Sequence, residues 1–142
     1  MHSMAKGETM DHSYYIENCL KFVIKEIKKQ RPLTGVYGIK LLHDNSRVHD
    51  AEEVENFLKQ EGINLIPHPP YSPDLSPCDY WLNDYIKRNL TDQTNEKSLH
   101  TAVSKIVFNI PEKEYKKTFE KLIERMKLCI KNDGNYFEHL IE

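Results

Sequence analysis

Two short apolar segments, separated by one amphipathic segment, constrain the fold of this chain more than any other feature. Residues 36–42 and 63–66 are mostly apolar and each follows a glycine, which predicts two buried strands. Between them, apolar side chains recur at helical spacing, at Ala51, Val54, Phe57 and Leu58. A strand, a helix and a strand in this order form a βαβ crossover, whose two strands run parallel. The sequence therefore predicts an α/β fold.

Further helices are predicted on both sides of this unit. Residues 12–30 place apolar side chains at intervals of three and four, with Asp11 as the N-cap. The same spacing predicts helices over residues 95–109 and 111–131, and Gly134 is expected to end the last one. The predicted architecture is a βαβ unit packed by several helices.

A proline-rich loop, residues 67–77, follows the second predicted strand. Its prolines exclude regular structure until its end. Ser76 is the expected N-cap of the next helix, with Pro77 at the first helical position. This places Asp79 in the first turn of that helix.

Composition is that of an ordinary globular domain. The 142 residues are 39% hydrophobic and 30% charged, which fits one domain spanning residues 1–142. A formal net charge of -2 gives no global attraction for nucleic acid, so any such contact must be local. No apolar run reaches the ~18 residues of a membrane span, and the N-terminus lacks a signal-peptide core. We therefore expect an intracellular protein with no membrane partner. The three cysteines share no close spacing, which predicts neither a disulfide framework nor a zinc knuckle.

Polar side chains follow both predicted strands. His43, Asp44 and Asn45 come directly after the first strand, and His68 comes shortly after the second. The carboxyl ends of parallel strands meet at one edge of a sheet, where α/β proteins bind ligands. We expect these side chains to lie close together in space.

Asp44 and Asp79 are the candidate metal-binding pair. Two carboxylates that converge at this edge can hold Mg²⁺ or Mn²⁺, hard cations that prefer oxygen ligands. Such ions activate water and neutralise charge on a phosphodiester. An aspartate at a strand end or in a first helical turn is also common as a cap of backbone N–H groups, so spacing alone leaves both interpretations open.

The histidines and the lysines each allow two interpretations. His43, His49 and His68 could ligate zinc, or His49 could be a solvated histidine in a first helical turn. Residues 111–131 hold seven Lys or Arg against four Glu, an excess of three. These cations could contact a phosphate backbone or form an ordinary solvated face.

Two longer motifs resemble the catalytic domain of mariner-family transposases. They are Leu-Leu-His-Asp-Asn-Ser-Arg-Val-His at 41–49 and Ile-Pro-His-Pro-Pro-Tyr-Ser-Pro-Asp-Leu-Ser-Pro-Cys-Asp-Tyr-Trp at 66–81. In that family a His-Asp-Asn motif carries the second catalytic acid, and Tyr-Ser-Pro-Asp-Leu precedes the third. Thirty-four residues separate those acids in the family, and Asp44 to Asp79 leaves 79 − 44 − 1 = 34. The ending at 129–138 is similar to the family's Cys…Gly-x-Tyr-Phe.

The resemblance implies cut-and-paste DNA transposition in the nucleus. In the family three acids bind two Mg²⁺ or Mn²⁺ ions, cleave DNA at transposon ends and join the 3′-hydroxyl to target DNA. Asp44 and Asp79 match the second and third acids, and His43, Asn45 and His49 support the site. The residues of the family's DNA or assembly loop are Tyr71, Ser72, Pro73, Asp74 and Leu75. Val48 stands where many relatives have proline, a small departure.

The resemblance also predicts which parts of the family's catalytic domain have no counterpart in residues 1–142. The family's first acid lies on the first strand of a five-stranded mixed sheet, upstream of a segment that Gly-Glu-Thr-Met at 7–10 resembles. We therefore expect a partial ribonuclease-H-like fold without the first three strands or the modules that recognise transposon ends. With two of three acids, little or no activity is expected. The strand at 36–42 would expose an edge that the N-terminal residues or a second copy covers, or that stays uncovered, so a homo-oligomer is expected.

Two other functions remain open at this point. One is a non-catalytic remnant of a transposase that makes protein or weak nucleic-acid contacts. The other is an unrelated zinc-binding module.

Overall fold

The computed structural model describes Met4, residues 7–135 and Phe137. Its chain divides into two units, Met1–Pro70 and Tyr71–Glu142. The prediction of one domain over residues 1–142 stays a prediction. Among the described residues, no helix combines the length and the apolar character needed to cross a membrane.

The first unit begins with a continuous helical segment. It consists of α1 (His12–Tyr15), a π-helical turn (Ile16–Leu20) and α2 (Lys21–Gln30). The Asp11 carboxylate accepts the backbone N–H of Tyr14 at 2.7 Å, which satisfies one of the unpaired donors of a helix start. The predicted helix and its N-cap are confirmed.

A βαβ unit follows, as the apolar pattern predicts. It contains β1 (Lys40–Leu41), α3 (Glu52–Gln60) and β2 (Asn64–Leu65). The strands pair in parallel, with Lys40 opposite Asn64 and Leu41 opposite Leu65.

The first strand is shorter than predicted. We expected a strand over 36–42, but the chain turns through residues 32–38. Gly35 and Gly38 adopt φ values of 51° and 75° there, which lie in the left-handed region and cannot belong to a strand. Gly35 was expected to precede the strand and Gly38 to lie within it, whereas both shape the turns that lead into β1.

The core of the first unit is formed between the helices. Leu20 and Ile24 from the first helical segment meet Val54 and Leu58 of α3, together with Ile63 just before β2. Val54 and Leu58 are 0% and 1% exposed. Burying a side chain of this size contributes ~1.5–3 kcal/mol. The face of α3 that carries Val54 and Leu58 therefore packs against the first helical segment.

The second unit is helical. Its elements are a 3₁₀ turn (Pro73–Leu75), a π-helical turn (Cys78–Leu82), α4 (Asn83–Asn89), α5 (Glu96–Phe108) and α6 (Glu112–Lys131). The predictions for 95–109 and 111–131 are confirmed. Gly134, with φ of 79°, donates to the Cys129 carbonyl at 2.9 Å, as expected of a glycine that ends a helix. Tyr136 and Glu138 of the predicted C-terminal motif lie outside the described residues.

The helix that carries Asp79 starts as predicted. Ser76 is extended, with φ of -102° and ψ of 112°, and Pro77 is helical, with φ of -56° and ψ of -30°. The Ser76 carbonyl accepts the N–H groups of Asp79 and Tyr80, each at 3.0 Å. Asp79 therefore lies in the first turn.

Candidate metal centre

Asp44 lies three residues after β1, at the carboxyl end of the strand. Its Oδ1 accepts the backbone N–H of Ser46 at 3.1 Å and lies 2.6 Å from Nδ1 of His49. Because a carboxylate only accepts, Nδ1 of His49 carries the proton and donates it. The Asp44 side chain is 60% exposed, so it remains open to a ligand from solvent.

The Asp44 carboxyl is held in its ionised form. Partial burial raises its pKa, but the hydrogen bonds from Ser46 and His49 outweigh burial, and the pKa lies below its ordinary value. Ionised carboxylate oxygens are the ligands that Mg²⁺ and Mn²⁺ prefer, and Asp44 fits such a role.

Aromatic rings pack behind Asp44. The rings of His43 and His49 are stacked, with centroids 4.9 Å apart and planes 4° from parallel. Tyr15 of α1 approaches both: its ring centroid is 4.4 Å from that of His49, and its hydroxyl is 3.5 Å from Nδ1 of His43. The His49 side chain is only 20% exposed, so the expectation of a solvated histidine in a helical turn is wrong. It lies in the turn before α3 and supports the carboxylate.

Burial changes the protonation of this cluster. Desolvation, together with the neighbouring His49, lowers the pKa of His43 below its ordinary value despite the nearby carboxylates. Burial, with smaller contributions from Cys19 and Asp44, raises the pKa of Tyr15 to about 12. His43 and Tyr15 are therefore neutral near pH 7, whereas the neighbouring Asp44 is charged.

The stacked histidines do not form a zinc pair. Imidazole lone pairs lie in the ring plane, and those of two parallel rings point side by side rather than toward one ion. In the part of the chain that the structure describes, no group of three or more His, Cys, Asp or Glu is arranged to hold a metal ion.

Asn45 joins the two strand ends. Its Nδ2 donates to the His68 carbonyl at 2.7 Å, across the edge where β1 and β2 end. The expectation that residues 43–45 lie near residues 67–68 is confirmed. This bond holds the residue directly after Asp44 against the segment that follows β2.

Asp79 belongs to the second unit, whereas Asp44 belongs to the first. The Asp79 side chain is exposed, and Nδ2 of Asn83 lies 3.5 Å from its Oδ1. The convergence of the two carboxylates on one ion stays a prediction. Asp79 itself fits a metal ligand, since it is an accessible carboxylate in a fixed helical turn.

The loop of residues 71–75 is anchored to α6. Tyr71 is fully exposed with φ of 54°, a left-handed conformation that is unusual for a side chain of this size. Asp74 and Leu75 are buried, and Nη1 of Arg125 donates to the Asp74 carbonyl at 2.9 Å. The same guanidinium lies 4.2 Å from the ring centroid of Tyr80, a cation–π contact.

Three contributors to these sites were not singled out from the sequence. Ser46 donates its backbone N–H, a group that every residue except proline carries, so the residue type gives little signal. Tyr15 and Arg125 reach their partners from residues 28 and 51 positions away. Such contacts depend on how the helices pack, which local patterns do not specify.

The family follows from comparison with known proteins. A family model described as DDE superfamily endonuclease matches residues 4–101, more than half of the chain, and this match includes Asp44 and Asp79. The chain belongs to the DDE superfamily of endonucleases. This DDE domain is also homologous to mariner transposases over most of its length.

Two curated relatives illustrate the likeness. The DDE domain is 31% identical to human histone-lysine N-methyltransferase SETMAR, over 93% of this chain and 20% of that protein. It is 29% identical to the mariner Mos1 transposase of Drosophila mauritiana, over 95% of this chain and 40% of the transposase. The chain thus spans less than half the length of either relative.

Solved structures of the Mos1 transposase share the fold. Its catalytic domain aligns with a TM-score of 0.82 at 29% identity, over 93% of this chain and 66% of that one. A structure of that domain with raltegravir and Mg gives 0.80 at 29%, over 93% and 67%. The paired-end complex with the left transposon end gives 0.84 at 28%, over 95% and 40%. The predicted mariner likeness and ribonuclease-H-like fold of the DDE domain are confirmed.

Proposed function

We propose that this DDE domain takes part in metal-dependent DNA cleavage and strand transfer during cut-and-paste transposition, in the nucleus. The family match over residues 4–101 carries this proposal, because it includes both candidate acids. The local geometry supports it, since Asp44 is an ionised, accessible carboxylate at the carboxyl end of a parallel strand.

Asp44 and Asp79 would hold Mg²⁺ or Mn²⁺. The bound ion would neutralise charge on the phosphodiester and activate water for its hydrolysis. His49 orients Asp44 through Oδ1, and the side chain remains 60% exposed. The carboxylate is therefore held in position and stays accessible to the metal. Asn45 holds the loop of Asp44 against the end of β2.

DNA is the proposed partner. The relatives of known structure include a Mos1 paired-end complex with a transposon end and a Mos1 strand transfer complex. For this chain, the loop of residues 71–75 is the candidate assembly element, because Tyr71 is fully exposed on an anchored turn.

We expect the 142-residue polypeptide by itself to cleave DNA slowly. The family's mechanism uses three acids, and the resemblance identifies two of them here, Asp44 and Asp79. The test is nicking of supercoiled plasmid with Mn²⁺. Asp44→Asn and Asp79→Asn should each abolish the nicking that the purified chain produces, because an amide keeps the shape but not the charge of the ligand. Asp92→Asn, an exposed aspartate outside the site, is the matched control.

Nicking that persists in both Asn variants would disprove the assignment of these acids. A chain that produces no Mn²⁺-dependent nicking would fit a non-catalytic remnant of a transposase instead.

A further inference from the structure

A basic groove in the second unit is not used by the proposed metal chemistry. It is a cavity of about 680 Å³ between the helical segment 78–89 and α6, called here the α4–α6 groove. Its aromatic wall is formed by Tyr80, Trp81 and Tyr85. Its cations are Arg88, Lys113, Lys117, Lys121 and Arg125, and Glu114 is the one carboxylate among the described residues that line it.

Four of these cations form a row along α6. Lys113, Lys117, Lys121 and Arg125 follow one another at intervals of four, which places them along one inclined ridge of the helix, and all four line the groove. Like charges at this spacing repel each other and destabilise a helix. Lys113, Lys117 and Lys121 are exposed, and none pairs with a carboxylate of any residue that the structure describes. A row of this kind fits an anionic ligand that neutralises it.

The aromatic wall of the groove contacts α6 at several points. The Tyr80 hydroxyl donates to the Thr118 carbonyl at 3.0 Å, and Arg125 is stacked on the same tyrosine ring. Trp81 packs edge-on against Tyr115, with ring centroids 5.4 Å apart, and lies 5.8 Å from Tyr85. These contacts join the segment that carries Asp79 to α6, so the cation row is held at a fixed position beside it.

We propose that the α4–α6 groove binds the phosphate backbone of duplex DNA. This inference rests on the proposed function, since it gives the DNA substrate a docking surface beside the helical segment that carries Asp79. The row from Lys113 to Arg125 extends about 18 Å along α6, at 1.5 Å per residue. The row is inclined to the helix axis, as i, i+4 rows are, and its regularly spaced cations suit a polyanion with regularly spaced charges, such as the phosphates of a DNA strand.

The test measures DNA binding without metal, so that its result is independent of cleavage. The full chain is titrated with a fluorescein-labelled short duplex of mixed sequence in EDTA, at several salt concentrations. A triple variant replaces Lys113, Lys117 and Lys121 with Gln, which keeps side-chain length and helix propensity. The matched control replaces Lys116, Lys127 and Lys131 with Gln, three exposed lysines of the same helix that do not line the groove.

We expect the groove variant to bind about tenfold more weakly or worse at moderate salt, and the control variant to bind nearly as wild type. The slope of log affinity against log salt should fall by roughly three for the groove variant, since each phosphate contact contributes about 0.9. Far-UV circular dichroism confirms that both variants keep their helices.

Equal losses in the two triple variants, or no loss in either, would overturn the proposal. So would binding of polyglutamate that depends on the groove lysines while duplex binding does not, which would assign the groove to an acidic protein. If DNA binds through the groove but Asp44→Asn leaves plasmid nicking unchanged, the groove stands and the metal assignment fails.

Discussion

His49 donates to Oδ1 of Asp44, whose side chain remains 60% exposed. A metal-binding carboxylate is most effective when a second group fixes its orientation, because the ligand atom then needs no reordering when the ion binds. His49 is well placed for this, since its ring packs against those of His43 and Tyr15. The short contact to Oδ1 therefore assigns a positioning role to a residue that makes no metal contact itself.

Replacing His49 should weaken metal binding without removing a ligand. We expect His49→Ala to lower Mn²⁺ affinity about 10- to 100-fold, as for other partners of metal ligands. His49→Asn should lose less, because its amide nitrogen can donate from near the position of Nδ1. Free Mn²⁺ measured by electron paramagnetic resonance gives the affinity. His100→Ala in α5 serves as the control, and equal affinity in His49→Ala and wild type would contradict the positioning role.

Among the helices and strands, the boundaries that the sequence predicts best are those with a capping residue. Asp11, Pro77 and Gly134 each lie where a local backbone requirement selects one residue type, so their positions can be read without knowing the fold. The first strand was predicted too long because the apolar residues at its start lie in turns rather than in a strand. An apolar segment is expected to be buried, but a buried segment does not have to be a strand.

The N-cap of α1 offers a direct measurement at this scale. Asp11→Ala removes the acceptor for the Tyr14 N–H, so the free energy of unfolding should fall by about 1 kcal/mol. Asp11→Asn keeps an acceptor oxygen and should unfold near wild type. Urea unfolding followed by far-UV circular dichroism measures both. Identical midpoints for Asp11→Ala and wild type would mean that the cap contributes nothing.

At the scale of the whole molecule, the two acids are distributed over two units. The sequence identifies Asp44 and Asp79 through their motif and spacing, and the structure gives each its own local support. Tertiary neighbours such as Tyr15 and Arg125 could not be predicted, because their partners are distant in the chain. The predicted homo-oligomer likewise stays a prediction, since the only partner of β1 among the described residues is β2.

The proposal that Asp44 and Asp79 both bind the metal predicts that Mn²⁺-dependent stability requires both acids. At a Mn²⁺ concentration about 100 times its dissociation constant, binding to the native state alone stabilises it by about 2.7 kcal/mol. We expect Asp44→Asn and Asp79→Asn each to lose most of the Mn²⁺-dependent rise in melting temperature, and Asp92→Asn to keep it. Thermal unfolding with Mn²⁺ and then with EDTA measures this. A full rise in Asp79→Asn would mean that Asp44 binds the ion without it.

Trp81 is an intrinsic fluorescent probe of the α4–α6 groove. The sequence contains one tryptophan, and it lines the α4–α6 groove between Tyr85 and Tyr115. Indole emission shifts in wavelength and intensity when its surroundings change from water to a bound polymer. All of the chain's tryptophan fluorescence therefore originates at one wall of one surface, and occupancy there can be followed in real time on the unlabelled protein.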